Sequence, residues 1–328
     1  MKRIPLNEQV IVITGASSGV GKAMALEFAK HGSKLVLTAR REEALAGLKK
    51  EVEELGGTAI TVTADVTDAK ALEEAARAAV LFGGNIDVWV NNAGVLAAGD
   101  FTNTPVEVHD RVIEINLMGY LHGAYAVVPY FKTQGYGTLI NNISVGGWFP
   151  TPYAAGYSAS KFGLRGFSES LRAELSKYKN IHVCELYPAF LDTPGIQHAA
   201  NYTKVALKPA PPVYDPQEVA RAVVSLAEFP RNKTITGSAS VFLRTLHFLF
   251  PTLSLNITAR IMERYFRNAE PIKETSGNLF APLEYGTSIY GGWTGAKSNT
   301  TKRIALGGIL VSSMLAGFFI VSRALKNS

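Results

Sequence analysis

Val10-Ile11-Val12-Ile13-Thr14-Gly15-Ala16-Ser17-Ser18-Gly19-Val20-Gly21 is the stretch that decides the fold. Its first four residues are apolar and β-branched, as in a strand covered on both faces. A helical period takes over near Gly21 and runs over 21–30, so the glycines fall in a strand-to-helix turn. There glycine permits a tight turn and the close approach of a ligand, while free N–H groups at the helix start attract negative charge. That context makes the turn a site for the pyrophosphate of a nucleotide. Gly15, Ser17, Ser18, Gly19, Val20 and Gly21 are expected to line it.

Further along, short β-branched runs continue to alternate with helical stretches, the pattern of βαβ units on a parallel sheet. Strands are predicted over Val10–Thr14, Lys34–Ala39, Thr58–Thr63, 87–91, 138–143 and 181–187, and helices over 21–30, 42–55, 69–81, 106–130 and 158–178. The fold class is therefore α/β. Right-handed crossovers give a Rossmann-type doubly wound parallel sheet with its ligand crevice at the carboxyl ends of the strands. Between 188 and 216 the periodicity fails and prolines gather at 188, 194, 209, 211, 212 and 216, which reads as a lid or binding loop. Residues 215–228 read as one more helix, and 234–240 as a short last strand.

The second strand ends in Leu37-Thr38-Ala39-Arg40-Arg41. At this distance from the glycines an NAD-preferring site places a carboxylate for the adenosine ribose. Arg40 stands there instead, and a guanidinium pairs with the 2′-phosphate that distinguishes NADP(H). The bland alternative is that Arg40 and Arg41 belong to a solvated loop. Asp65-Val66, just past the third strand, is placed to flank the adenine.

Ser144 ends a strand, and thirteen residues later Tyr157-Ser158-Ala159-Ser160-Lys161 opens a helix. Residues four apart share a helix face, so the phenol and the ammonium can act together. Tyrosine titrates near 10 and is a poor base at neutral pH. An ammonium about 4 Å away is worth on the order of 4 kcal/mol at an effective dielectric of about 20, which is expected to draw the phenol toward neutrality for acid/base work.

These motifs occur in a fixed order: Thr14-Gly-x-x-x-Gly-x-Gly21, Asp65, Asn91-Asn92-Ala93-Gly94, Asn116, Ser144 and Tyr157-x-x-x-Lys161. Together they resemble the short-chain dehydrogenase/reductase family over about residues 8 to 240. The resemblance implies a hydride exchanged between NADP(H) and a carbonyl or alcohol carbon, with Tyr157 as general acid/base and Ser144 on the substrate oxygen. By the same resemblance Lys161 holds the nicotinamide ribose and lowers the tyrosine pKa, and Asn116 helps place Lys161 and a proton-relay water. Asn92, Ala93 and Gly94 would line the cofactor, with Pro188 and Thr193 beside the nicotinamide end. The family's usual Pro-Gly is Pro188-Ala189 here, a departure that touches the backbone path and no catalytic group. An arginine that favours NADP implies carbonyl reduction as the working direction. Competing readings are a non-catalytic NADP-binding sensor or scaffold, and epimerisation or dehydration on the same fold.

Past residue 240 the α/β rhythm stops, which divides the chain into a 1–240 nucleotide-binding domain, a 241–301 extension and a 302–328 tail. Residues 241–266 carry a dense apolar set broken by Arg244, Arg260 and Arg264, suited to a lid over the substrate cleft or to a membrane interface. A dimer contact or packing against the body is the alternative use, so a homo-oligomer belongs among the expected assemblies. The nineteen uncharged residues 304–322, bounded by Lys302-Arg303 and Arg323, match a membrane-spanning helix. The expectation is a single-pass anchor with the catalytic domain facing the cytosol. An apolar lid beside a membrane fits a lipophilic substrate, steroid-, retinoid- or acyl-like.

The net charge of +6 is concentrated in that tail: after Glu284 there is no acidic residue, and Lys297, Lys302, Arg303, Arg323 and Lys326 follow. No basic stripe interleaved with aromatics marks the body, so a nucleic-acid partner is not expected. Cys184 is the sole cysteine, read as a small buried hydrophobe, and the six histidines are scattered, so no metal is expected. No apolar leader core precedes the first strand.

Overall fold

The structure, a computed structural model, describes residues 4–294. Seven strands form one sheet: β1 (Val10–Thr14), β2 (Lys34–Ala39), β3 (Thr58–Thr63), β4 (Val88–Asn91), β5 (Gly137–Asn142), β6 (Ile181–Pro188) and β7 (Lys233–Thr236). They lie in the order β3-β2-β1-β4-β5-β6-β7, every pair parallel. The strands read apolar throughout because helices cover both faces. Val10, Val12, Val36, Trp89 and Leu139 point into one buried cluster, and their neighbours Ile11, Ile13, Leu35, Val90 and Ile140 into the other. The period of two along each strand thus feeds two cores.

The first cluster is closed by α3 (Ala69–Gly83), α4 (Val106–Ile113), α5 (Gly119–Gln134) and α6 (Ala155–Glu174). The second is closed by α1 (Gly19–Ala29), α2 (Glu42–Glu54) and α7 (Pro216–Glu228). Each large side chain so buried contributes about 1.5–3 kcal/mol. Cys184 belongs to the second cluster, and burial pushes its thiol up to about 12, so it behaves as a small hydrophobe.

Three sequence boundaries shift. The helical pattern over 106–130 is α4 and α5 joined by a single π-helical turn, Glu114–Met118, and α5 runs on to a left-handed cap at Gly135. The last strand stops at Thr236 rather than reaching 240, because Gly237 (φ +85°) turns the chain. A Cβ at Gly237 would lie 2.8 Å from that of Ala189. Residues 238–268 fold as two helices, α8 (Ser238–Leu249) and α9 (Pro251–Asn268). Beyond them an extended strap, 269–294, runs back across the sheet's carboxyl edge. Among the described residues no helix is long and apolar enough to cross a membrane. The run 304–322, read above as an anchor, lies outside the described residues.

The sheet order reverses direction between β1 and β4, which opens a crevice at their carboxyl ends. Every candidate site residue sits on or beside that edge.

Candidate active site

The glycine turn leaves β1 at Gly15, whose φ is +66° and where a Cβ would meet the Ala93 Cα at 2.7 Å. At Gly21 a Cβ would lie 2.2 Å from the Gly15 carbonyl oxygen, so the first turn of α1 can pack only with hydrogen there. The Thr14 hydroxyl accepts from the Asn92 and Ala93 N–H groups at 2.9 and 3.2 Å. Asn92 Nδ2 donates to the Thr14 and Gly15 carbonyls, and Asn142 Nδ2 donates to Asn92 Oδ1 at 2.9 Å. Asn92 thus braces the turn and ties the ends of β1, β4 and β5 together.

Ser144 follows β5 with φ +111°, a strained conformation for a residue with a Cβ. Its Oγ accepts from the Gly146 N–H at 3.2 Å and hydrogen-bonds the Tyr157 hydroxyl. A Cβ at Gly146 would lie 2.9 Å from the Tyr157 ring, so the turn and the phenol are fitted to one another. Tyr157 and Lys161 stand on successive turns of α6, with Lys161 Nζ 5.7 Å from the Tyr157 ring centroid and 5.3 Å from that of Tyr120.

Here the sequence expectation about charge needs correction. Burial raises the Tyr157 phenol above 10, and the Ser144 hydrogen bond offsets only part of that. Burial also pulls Lys161 down to about 7. A lowered phenol requires a fully charged neighbour in a medium of high effective dielectric. In the structure desolvation acts on both groups, and no carboxylate forms an ion pair with Lys161 among the described residues.

Asn116 is fully buried in the π-helical turn. It accepts from the Val95 N–H and donates to the Val95 carbonyl, both at 2.8 Å, and also donates to Ser160 Oγ on α6 at 3.3 Å. It therefore joins the loop after β4 to the helix bearing Tyr157 and Lys161. π-turns recur at such sites.

Arg40 and Arg41 do not form a solvated loop. Arg40 donates to the carbonyls of Asn278 (2.6 Å) and Leu279 (3.3 Å), and Arg41 to those of Leu283 (3.1 Å) and Tyr285 (2.9 Å). Asp65 lies 4.0 Å from Arg40 and 2.8 Å from Arg111, whose Nε also donates to the Leu279 carbonyl. Burial would raise the Asp65 carboxyl, but donors from Thr67 and the charges of Arg111 and Arg40 hold it below the ordinary value. Burial lowers both Arg40 and Arg41, and Arg40 further lowers Arg41.

Gly15, Ser17, Ser18, Gly19, Val20, Gly21, Arg40, Asp65, Val66, Asn92, Ala93, Gly94, Ser144, Tyr157, Lys161, Pro188 and Thr193 all line one cavity of about 920 Å³; Asn116 stands behind it. That volume is near the upper end of the roughly 300–1,000 Å³ of ligand clefts. Ala189 also lines it, and its N–H continues the pairing to the Thr236 carbonyl, so the missing glycine leaves the backbone path regular. The far end of the cavity is apolar: Phe149, Phe242, Ile261, Met262 and Phe266. The lid expected of the 241–301 extension thus reaches this cleft from 241–266, and Asn278, Pro282 and Leu283 of the strap, which no motif singles out, also line it.

The short chain dehydrogenase family matches residues 9–203. The chain belongs to that family. In sequence it is similar to the uncharacterized oxidoreductase YxnA of Bacillus subtilis (strain 168), 34% identical over 325 residues, covering 96% of this chain and 91% of that one. Among solved structures, the alcohol dehydrogenase of Thermococcus sibiricus complexed with 5-hydroxy-NADP is 28% identical. It covers 71% of this chain and 97% of its own, with a TM-score of 0.62. A short-chain dehydrogenase/reductase of Burkholderia phymatum in complex with NAD is 26% identical, covers 76% of this chain and 96% of its own, and has a TM-score of 0.68. The chain is thus an oxidoreductase of the short-chain dehydrogenase family on a Rossmann-like parallel sheet.

Proposed function

We propose that this oxidoreductase uses NADPH to reduce the carbonyl group of a lipophilic substrate to an alcohol. One observation carries the reading. The Ser144–Tyr157 pair lies in a cavity whose one end is a side-chain-free glycine turn beside two guanidiniums, and whose other end is apolar. A nicotinamide dinucleotide fits the first end. Gly15 and Gly21 let the turn pack tightly at the start of α1, where a pyrophosphate would sit, Arg40 and Arg41 offer cations to a 2′-phosphate, and Asn92, Ala93, Gly94, Pro188 and Thr193 would flank the rest. Related structures carry both NAD and an NADP derivative, and the two arginines favour the phosphorylated form.

Such a coenzyme supplies a hydride when bound. The chain's own residues handle the proton and the geometry. Ser144 donates to the substrate oxygen and holds the carbonyl against Tyr157. The Tyr157 hydroxyl, kept protonated by burial, donates its proton to that oxygen as negative charge develops on it. Lys161, with a value near 7, is the buried cation that stabilises the resulting phenolate. Asn116 keeps α6 and the loop after β4 in register. The apolar end excludes water and accepts the hydrophobic body of the substrate.

The same reading includes a membrane-held enzyme: the uncharged 304–322 run is the anchor, with the 1–240 domain in the cytosol where NADPH is available. The test is a panel of small polar, acyl-chain and polycyclic carbonyl compounds assayed with NADPH and with NADH in lipid vesicles. The reading holds if NADPH is preferred and apolar ketones or aldehydes are reduced with higher kcat/KM than small polar ones. Equal use of the two coenzymes, or activity confined to small polar carbonyls, removes it.

A further inference from the structure

The strap has a chemical role beyond covering the crevice. It arrives from α9 through a bridge between Asn201 and Thr275, buries Leu279 completely in the first core cluster, and passes over the three guanidiniums of Arg40, Arg41 and Arg111. Against those cations stand Asp65 and the outlying Glu114, so the adenosine end of the cavity carries excess positive charge. The strap meets it with backbone carbonyls of Asn278, Leu279, Leu283 and Tyr285, which have partial charge only. A guanidinium has five N–H donors in a fixed plane. Arg40 lines the cavity with donors still to spare and takes its plane from the strap. Arg41 also donates to the Ser17 carbonyl and hydroxyl at 3.4 and 3.2 Å, which leaves its Nε over and shares its orientation between the strap and the glycine turn. Asn278 lines the same cavity, and its side-chain Oδ1 is buried with no hydrogen-bond partner.

We propose that strap residues 278–285 are part of the coenzyme site: their carbonyls aim Arg40 and Arg41 at the adenosine 2′-phosphate, and the Asn278 carboxamide contacts the adenosine end directly. Coenzyme selectivity is then set by a segment 238 to 244 residues downstream of the arginines it orients. This inference rests on the NADPH reading above, and the experiment separates the two. The strap's path depends on Gly286 (φ +73°), where a Cβ would lie 2.1 Å from His198 Nε2. Gly286→Ala therefore shifts the carbonyls beside it; His198→Ala added to it removes the clash with the ring, while the left-handed φ at 286 stays strained for any residue with a Cβ.

The measurement is the NADPH/NADH ratio of kcat/KM for wild type, Asn278→Ala, Gly286→Ala, His198→Ala and the Gly286→Ala/His198→Ala pair. The expected result is a fall of about tenfold in the ratio for Asn278→Ala and Gly286→Ala, with only partial recovery in the pair, since the clash is relieved and the backbone strain is not. Wild type with a ratio near one sinks the NADPH reading itself. A clear wild-type preference that survives in both Asn278→Ala and Gly286→Ala overturns the strap's role and leaves that reading intact. If Gly286→Ala fails to fold, hydrogen exchange of the wild-type strap decides. Slowed exchange over 276–288 with adenosine 2′,5′-bisphosphate, but not with adenosine 5′-monophosphate, supports the proposal, and equal protection by both overturns it.

Discussion

At Tyr157 the chemistry and the stability of the fold pull in opposite directions. Tyr157→Phe removes one oxygen from a ring fitted against Gly146 and leaves its packing intact. We expect kcat to fall by about 10²–10⁴-fold, the usual worth of a positioned acid, with coenzyme affinity little changed. Rapid-mixing kinetics and coenzyme titration check both halves. Lys161 carries the stability cost. Its folded value of about 7 lies below the ordinary 10.5, so an unfolded chain keeps the proton up to about pH 10 while the coenzyme-free fold sheds it above about 7. Stability from this group therefore rises with pH across that window, and below pH 7 the full penalty of a buried charge is felt. Lys161→Met is expected to abolish turnover, to stabilise the coenzyme-free protein by roughly 1–3 kcal/mol near pH 6, and to flatten the rise toward pH 9. Urea unfolding at the two pH values reads this directly. The identities of Ser144, Tyr157 and Lys161 were legible because spacing and residue type carry them. Their charge states were not, since desolvation depends on Tyr120 and the neighbouring backbone, which no local pattern reveals.

Among the elements, β1 to β6 and α1 to α7 were legible because helices on both faces impose continuous apolar strands and helices must turn an apolar stripe inward. The strap was not, for a physical reason. Its bonds to Gly19, Arg40 and Arg41 use the carbonyls of Ser288, Asn278, Leu279, Leu283 and Tyr285, and every residue type offers a carbonyl. The Ser288 carbonyl accepts from the Gly19 N–H at 2.9 Å, at the helix start where anions bind. One side chain does anchor the strap's far end: Asp192 accepts from the N–H groups of Gly291, Trp293 and Thr294, and from the Thr294 hydroxyl. Burial would raise its carboxyl, but those donors outweigh that cost and hold it below the ordinary value. Asp192→Ala strands these donors at about 1–3 kcal/mol for each that water does not reach, whereas Asp192→Asn keeps one acceptor oxygen. The expected result is rapid proteolytic cleavage between 286 and 294 in Asp192→Ala, slower cleavage in Asp192→Asn, and little loss of the sheet's own thermal stability. Limited proteolysis with mass mapping, beside a melting curve, measures it.

Across the whole molecule the cavity runs from a cationic end over β2 to an apolar end between the 207–212 loop, α8 and α9. The turn joining those two helices exposes Phe248, Leu249 and Phe250, with side chains 83%, 58% and 44% accessible, and Ile261 on α9 is 61% accessible while also lining the cavity. Apolar side chains exposed beside an apolar cleft fit the membrane interface among the uses that the sequence of 241–266 offers, the others being a lid, a dimer contact and packing against the body. On the proposed membrane reading two contacts would act in series, the 304–322 run for attachment and the α8–α9 turn for the orientation of the cleft. They separate experimentally. Truncation after residue 301 is expected to abolish flotation with liposomes while leaving turnover of a water-soluble aldehyde unchanged. Phe248→Ser with Leu249→Ser in the full-length chain is expected to leave flotation intact and to lower kcat/KM about tenfold for a bilayer-partitioned ketone only, the equivalent of about 1.4 kcal/mol of lost access. If the truncated chain still floats, the 304–322 run is not the anchor. If the double serine variant reduces both substrates as wild type does, the cavity fills from water, and the exposed turn serves a contact with protein instead.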